Sequence, residues 1–246
     1  MSADSIEAYD PPERARTYDA DMDIMHPLRH KMIDVALDVL PFPPADTLKV
    51  LDLGVGTGAF SLKLLDRFPN SEIVAIDGSS SMLELARARL HEHLHRVELV
   101  VSDFRAIPET LLEPDTFDVV ISSYALHHLD ADDKAAVLGS VVAALKTGGW
   151  LLNADLVVAN SPDVEERIQQ IRVEAVTERA PMDDQRFSSS AATRQHLRDL
   201  EEAEQDQPLT LSEDLRVIRD SGIGNAEVVW KEFREAVICG SKADLA

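Results

Sequence analysis

Apolar positions recur along the chain in two rhythms. Short, nearly continuous apolar runs occupy Lys49–Leu53, Glu72–Ile76, Val97–Val101, Phe117–Ser122 and Trp150–Ala154. Between most of them, apolar residues fall three and four apart, over Ala59–Phe68, Met82–Leu94 and Asp132–Leu145. The runs read as strands and the wider spacing as helices with one buried face. Strands without polar alternation leave no face for water, so the pattern predicts a mostly parallel sheet covered by helices on both sides. Ser81 with Glu84 fits a capping box at the start of the second helix.

The flanks follow other patterns. Residues 1–23 are polar and interrupted by Pro11-Pro12, and read as a flexible lead-in that becomes ordered near Tyr18. A helix is predicted from Pro27 to about Leu40, with Ile33, Leu37 and Leu40 on one face and Pro41, Pro43 and Pro44 ending it. Residues 160–221 are helical in pattern and highly charged, with no strand signal before Ala226. Ser161-Pro162 starts one helix there, and Thr210 with Glu213 starts another. Ala226–Lys231 and Ala236–Cys239 read as two closing strands, near enough in sequence to pair antiparallel.

Composition narrows the function. The chain has 246 residues, 45% hydrophobic and 28% charged, an ordinary globular balance. One domain over 1–246 is expected, with 1–45 as lid and first helix and 160–221 as an insert on the substrate side. Lysine and arginine number 24 against 45 acidic residues, a net charge of −21. Such a surface repels phosphate backbones and anionic lipid, so nucleic-acid binding is disfavoured. No apolar run is long enough to span a membrane, and the acidic N-terminus is no secretion signal. Cys239, the single cysteine, has no internal disulfide partner and reads as a small core residue. A soluble cytoplasmic protein is expected; nothing in the sequence speaks to its oligomeric state.

Candidate chemistry concentrates in Val50–Phe60, VLDLGVGTGAF. A strand runs into Gly54, Gly56 and Gly58, and a helix follows. Glycines let the chain turn tightly and let a ligand touch the backbone, and the helix N-terminus offers N–H groups to an anion. Gly54-x-Gly56-x-x-Ala59 also fits the dinucleotide fingerprint, so the loop alone leaves two ligand classes open. Asp52, two residues before Gly54, suits a ligand with positive charge and fits poorly beside a pyrophosphate. Asp77 ends the second strand, where a carboxylate accepts both ribose hydroxyls. Asp103 and Phe104 follow the third, an acid for an exocyclic amine beside an aromatic for a purine face.

Five motifs in order, VLDLGVGTG, IVAIDGSSSML, VVSDF, FDVVISSYALHHL and LKTGGWLLNADL, resemble those of the class I S-adenosylmethionine (SAM) methyltransferases (EC 2.1.1.-). The resemblance covers about residues 15–240. It implies an α/β, Rossmann-like, seven-stranded, mostly parallel sheet with a reversed last strand and a helical insert after strand five. It implies SAM as cofactor and S-adenosylhomocysteine as product. Gly54 and Gly56 would line the methionine part of SAM, and Asp77 would take the ribose hydroxyls. Gly78 and Met82 would flank the adenosine, Asp103 would take the adenine amine with Phe104 beside the ring, and the Ser122 carbonyl would meet the SAM ammonium. ARTYDADMDIMHP looks like a subset related to carboxy-SAM synthase, in which the tyrosine, here Tyr18, lies over the cofactor. That relative needs an Arg-Tyr pair after the fifth strand; residues 160–212 contain no tyrosine, so ordinary SAM is expected.

His127 and His128 follow the fourth strand, at the edge where α/β sheets bind ligands. One is a candidate general base, oriented by Asp155 at the end of the fifth strand; the competing reading is that both histidines only pack and cap. His91 and His95 have the four-residue spacing of metal ligands, against the plainer reading of a solvated helix end; His26 and His30 with Asp19, Asp21 and Asp23 show no metal-ligand pattern, and no metal is expected. Arg172, Arg179, Arg186 and Arg194 are candidates to meet an anionic substrate, against the plainer reading of scattered surface charge. The expected function is methyl transfer to an O, N or C nucleophile of a small molecule. The alternatives are a tRNA-modification or carboxy-SAM synthase-like enzyme, an NAD-dependent dehydrogenase, and a non-catalytic SAM-binding module.

Overall fold

The apolar runs form a seven-stranded sheet. In this computed structural model, which describes residues 6–243, the strands are β1 (Lys49–Leu53), β2 (Glu72–Asp77), β3 (Val97–Val101), β4 (Phe117–Ser123), β5 (Leu145–Leu156), β6 (Glu227–Glu232) and β7 (Glu235–Ser241). Their order is β3-β2-β1-β4-β5-β7-β6. β1 pairs in parallel with β2 and β4, β2 with β3, and β4 with β5. β7 runs antiparallel to both β5 and β6, so it alone is reversed. The first strands share one direction and the order reverses between β1 and β4, which opens a crevice at their carboxyl ends.

Successive residues of each strand face opposite sides. Val50, Ile73, Val119, Ile121, Leu152 and Val237 meet Met32, Ile33, Leu64 and Leu83, from α2 (Arg29–Asp38), α3 (Ala59–Arg67) and α4 (Ser80–Arg89). Leu51, Leu53, Ile76, Val120, Leu151 and Ile238 meet Val137, Leu138, Val141, Val217 and Ile218, from α5 (Ala131–Ala144) and α8 (Leu211–Asp220). Both faces of the sheet are thus covered, as unbroken apolar strands require. No helix of the described residues is long and apolar enough to cross a membrane.

Four expectations change. Residues 12–25 are not a flexible lead-in but α1, with a proline in its first turn; residues 1–5 of that reading lie outside the described residues. Ala15, Met22 and Met25 of α1 are buried, and polar Asp21 is buried with them because Arg14 and Arg186 neutralise it. β5 begins at Leu145, pairing with Phe117 ahead of a register shift, so the Gly148-Gly149 stretch lies inside the strand. The α4 cap is Ser79, whose side chain accepts from the Met82 N–H, rather than Ser81. After Ser161, α6 (Pro162–Arg179) and α7 (Ser190–Glu204) depart from the sheet, whereas α8 returns to it against α5. The Thr210–Glu213 capping box at the head of α8 is present.

Candidate functional site

The glycine loop closes over the β1 end. The Gly54 and Val55 N–H groups both donate to the Ile76 carbonyl, at 2.8 and 3.0 Å. Gly54 has φ of +74°, and a Cβ there would stand 2.4 Å from that of Ala125. Both the left-handed backbone and the close approach exclude a side chain. The next turn is fixed by Asp77: one oxygen accepts from the Gly56 N–H at 2.8 Å, the other from the Ser79 N–H at 2.9 Å. Burial pushes the Asp77 carboxyl up to about 6, against those two N–H donors, and Asp10 adds to the rise.

A cleft opens above this loop. Tyr18, Gly54, Gly56, Asp77, Met82 and Phe104 line it, together with Tyr9, Arg29, Tyr124, Ala125 and His128. Residues 6–18 close its mouth. Asp10 accepts from the Ser79 hydroxyl at 2.8 Å, and the Ser81 hydroxyl donates to the Asp10 carbonyl at 2.7 Å. Asp19 of α1 accepts from the Thr57 hydroxyl and from Arg29, both at 3.0 Å, and pairs with Arg89. These bonds tie the lid helix directly to the glycine loop.

Three expected cofactor contacts stand elsewhere. Asp52 is buried and accepts from the Ser61 hydroxyl at 2.6 Å, bracing α3 rather than facing the cleft. Burial, with the nearby charge of Asp77, pushes its carboxyl up to about 7. Gly78 lies beneath Ile6; a Cβ there would meet that side chain at 2.7 Å. Asp103 caps the short turn 104–106 and holds Arg105 at 2.9 Å, so its carboxylate is turned along the chain. The Ser122 hydroxyl is buried and donates to the Leu53 carbonyl at 2.9 Å, a bond that does not engage the backbone carbonyl expected at the ammonium; Ser123 lines the cleft.

A second cavity adjoins the first, sharing Tyr9, Tyr18, Met22 and Tyr124 with it and adding His127, Glu204 and Asp206. His127 donates from Nδ1 to Asp155 at 2.6 Å, the pairing expected from the sequence. Its Nε2 faces Asp206 Oδ1 at 3.4 Å, so neither ring nitrogen points at a molecule in the cleft. Burial opposes its charge, but Asp155 and Asp206 outweigh that and hold the imidazole up to about 10. His128, not His127, lines the cofactor cleft. Its Nε2 lies 3.2 Å from the Tyr9 hydroxyl and its Nδ1 3.1 Å from Asp206 Oδ1. Burial and the His127 charge hold His128 below the usual imidazole range.

Asp206 had no signal in the sequence. It follows α7 in a loop, 79 residues from His127, and arrives there because the Gln207 N–H donates to the His127 carbonyl at 2.8 Å. The roof over this cavity is ionic. Arg14 of α1 pairs with Glu204 of α7, and Arg186 holds Asp21 at 2.7 Å. Tyr124 donates to Glu235 at 2.8 Å, and His26 meets the same carboxylate at 2.9 Å.

Residues 50–149 match the model of a methyltransferase-domain family. Over that stretch the chain is similar to methyltransferases. The match begins at β1, runs through the glycine loop and ends inside β5, so it contains the loop and strand ends that line the cleft. The chain is 33% identical, over 123 residues, to an uncharacterized methyltransferase of Anoxybacillus flavithermus, covering 50% of this chain and 54% of that one. It is 34% identical to a malonyl-[acyl-carrier protein] O-methyltransferase of Acetivibrio thermocellus over 137 residues, 56% of this chain and 44% of that one. The chain therefore spans about half the length of the curated relatives it matches. Its fold is similar to an O-methyltransferase family protein from Burkholderia thailandensis, with TM-score 0.64 at 20% identity over 89% of this chain and 57% of that one. The strand order, reversed β7 included, is the one expected from the motifs.

Proposed function

We propose that the protein transfers the methyl group of SAM to an oxygen, nitrogen or carbon nucleophile of a small molecule. The observation that carries this is the continuity of the two cavities through Tyr18, Met22 and Tyr124. The first is bounded by the glycine loop and Asp77, which suit the methionine and ribose of SAM. The second is enclosed by side chains of α1, α7 and the β4 end, and suits an acceptor. Tyr18 sits where the two meet. A nucleophile in the second cavity would approach a methyl carbon presented from the first, in line with the departing sulfur. Placement and exclusion of water contribute several orders of magnitude to such a displacement. A roof of α1 and α7 favours an acceptor that fits beneath it, and the net charge of −21 disfavours a tRNA.

His127 with Asp155 is read here as a positioning pair that fixes the β4 and β5 ends, since both ring nitrogens face carboxylates. The test is incubation of a metabolite extract with the protein and SAM carrying a deuterated methyl group. A product heavier by the labelled methyl, with equal S-adenosylhomocysteine formed, identifies the acceptor. S-adenosylhomocysteine binding without any labelled product across extracts would favour a binding module.

A further inference from the structure

We infer that His127, His128 and Asp206 bind one divalent transition-metal ion at the acceptor end of the site. The inference rests on the methyltransferase reading above for its role, but not for its existence. One ligand atom from each of the three residues lies within 4.8 Å of the others. Asp206 Oδ1 stands 3.1 Å from His128 Nδ1 and 3.4 Å from His127 Nε2. Two ligand atoms each about 2.1 Å from one ion are roughly 3.0 Å apart at a right angle and roughly 3.4 Å apart at the tetrahedral angle. The two distances are the edges of such a coordination shell.

Direct hydrogen bonding leaves two atoms of the cluster without a well-aligned partner. His128 Nδ1 and Asp206 Oδ1 are both buried and have no hydrogen-bond partner, although they are neighbours. Their approach is off the line an N–H bond needs, which is how two ligands of one ion are related. Buried polar atoms left in this way call for an occupant. Each imidazole is also set up as a ligand by what its other nitrogen does. The His127 Nδ1–H donates to Asp155 at 2.6 Å, and the ion would replace the proton on Nε2, which faces Asp206. His128 Nε2 meets the Tyr9 hydroxyl at 3.2 Å, which leaves Nδ1 for the ion. A carboxylate behind a ligating histidine is the usual outer support of a metal site. Two carboxylates, Asp155 and Asp206, balance one divalent charge.

Two imidazoles and one carboxylate select imidazole-preferring ions such as Zn(II), Co(II) or Fe(II) over Mg(II) or Ca(II). Three protein ligands leave a coordination position for an outside group. His128 lines the cofactor cleft and His127 and Asp206 line the adjoining cavity, so that position opens where the acceptor would sit. The acceptor class this selects is an oxygen nucleophile, a phenol or hydroxyl able to bind a metal through its oxygen. Coordination releases the O–H proton to water, as it does for metal-bound water. The oxygen then forms the O–CH₃ bond as the S–CH₃ bond breaks, giving the methyl ether and S-adenosylhomocysteine.

The test uses the full chain stripped with a chelator and titrated with Co(II) and with Zn(II). The expected result is one equivalent of Co(II), with the visible absorption bands of a site carrying nitrogen and oxygen ligands, displaced by Zn(II). Asp206→Asn should weaken Co(II) at least tenfold and change the spectrum, while S-adenosylhomocysteine affinity stays within threefold and far-UV circular dichroism is unchanged. Asp155→Asn, which touches no ligand atom of the ion, should weaken Co(II) by about 10–100-fold. Less than a tenth of an equivalent of Co(II) and of Zn(II), or binding that both variants leave unchanged, would overturn the site and assign a proton to the same position. Either failure leaves S-adenosylhomocysteine binding as a separate readout of the methyltransferase reading.

Discussion

Asp77 fixes the turn of the glycine loop and lines the cleft. Its two oxygens hold the Gly56 and Ser79 N–H groups, and its remaining lone pairs face the cleft. Charge-assisted bonds of this kind are each worth about 1.5–3 kcal/mol. Asp77→Ala should weaken S-adenosylhomocysteine at least tenfold in calorimetry; an unchanged dissociation constant would remove Asp77 from the ribose contact. Its titration gives a second prediction. With the carboxyl raised to about 6, protonation sets in just below neutral pH and removes acceptor capacity. S-adenosylhomocysteine affinity should therefore fall as pH drops through about 6, and Asp77→Asn should flatten that dependence. The sign for folding is opposite. Because the folded value lies above the ordinary 3.8, the proton stabilises the ligand-free fold. That contribution is present below 3.8 and lost as pH rises to about 6. Asp52, raised to about 7, extends the same loss towards neutrality. Ligand-free protein should thus unfold more readily at pH 7.5 than at pH 5.5 as far as these two groups decide it, a difference that scanning calorimetry of Asp52→Asn should reduce.

At the scale of elements, α1 is where hydrophobic pattern and structure diverge most. Its sequence is polar, yet Asp19, Asp21 and Arg14 are held by partners in five other parts of the chain: Arg29, Arg89, the Thr57 hydroxyl, Arg186 and Glu204. A polar helix of this kind gains its stability from where it docks rather than from an apolar stripe. The signal that identifies it is the spacing of Ala15, Tyr18, Met22 and Met25, with proline in the first turn. Because Asp19 bonds the glycine loop, occupancy of the cleft and docking of α1 should be coupled. Tryptic cleavage at Arg14 or Arg16 requires α1 to open, and S-adenosylhomocysteine should slow it at least several-fold. Deleting residues 1–23 should leave the sheet folded, since it begins at Lys49, but weaken S-adenosylhomocysteine at least tenfold. Cleavage at equal rates with and without ligand, together with unchanged affinity of the truncated protein, would reduce α1 to a structural cover.

Across the whole molecule, legibility followed the source of each element's stability. The central strands β1, β2, β4 and β5 were readable because their apolar runs are largely buried on both faces, and the reversed β7 because Ala226–Lys231 and Ala236–Cys239 are separated by a short link. Gly54, Gly56, Asp77, Met82 and Phe104 line the cleft, as their places at strand ends suggest. Asp52 and Asp103 stand at the expected strand positions, but their side chains bond Ser61 and Arg105 and do not line the cleft. Asp206 was invisible because only the folded path of the loop after α7 brings it to the histidines. The pair Lys134–Asp214 was hidden for the same reason. Within α5 and α8 each reads as an exposed helix charge, yet both side chains are buried and meet at 2.8 Å between the helices that cover one face of the sheet. Two buried charges gain little net free energy from each other, but each is costly alone. Lys134→Met should therefore destabilise the protein by about 3–5 kcal/mol, because it leaves Asp214 buried without its cation. For a chain of this length that corresponds to a Tm lower by roughly 6–20 °C. Adding Asp214→Leu should recover most of the loss, since the second change removes the stranded charge. S-adenosylhomocysteine affinity should be unaffected in the double variant, because the pair lies outside the cleft. A Lys134→Met variant with wild-type Tm would mean that Asp214 takes up a proton at no measurable cost, and that α5 and α8 are joined by their apolar contacts alone.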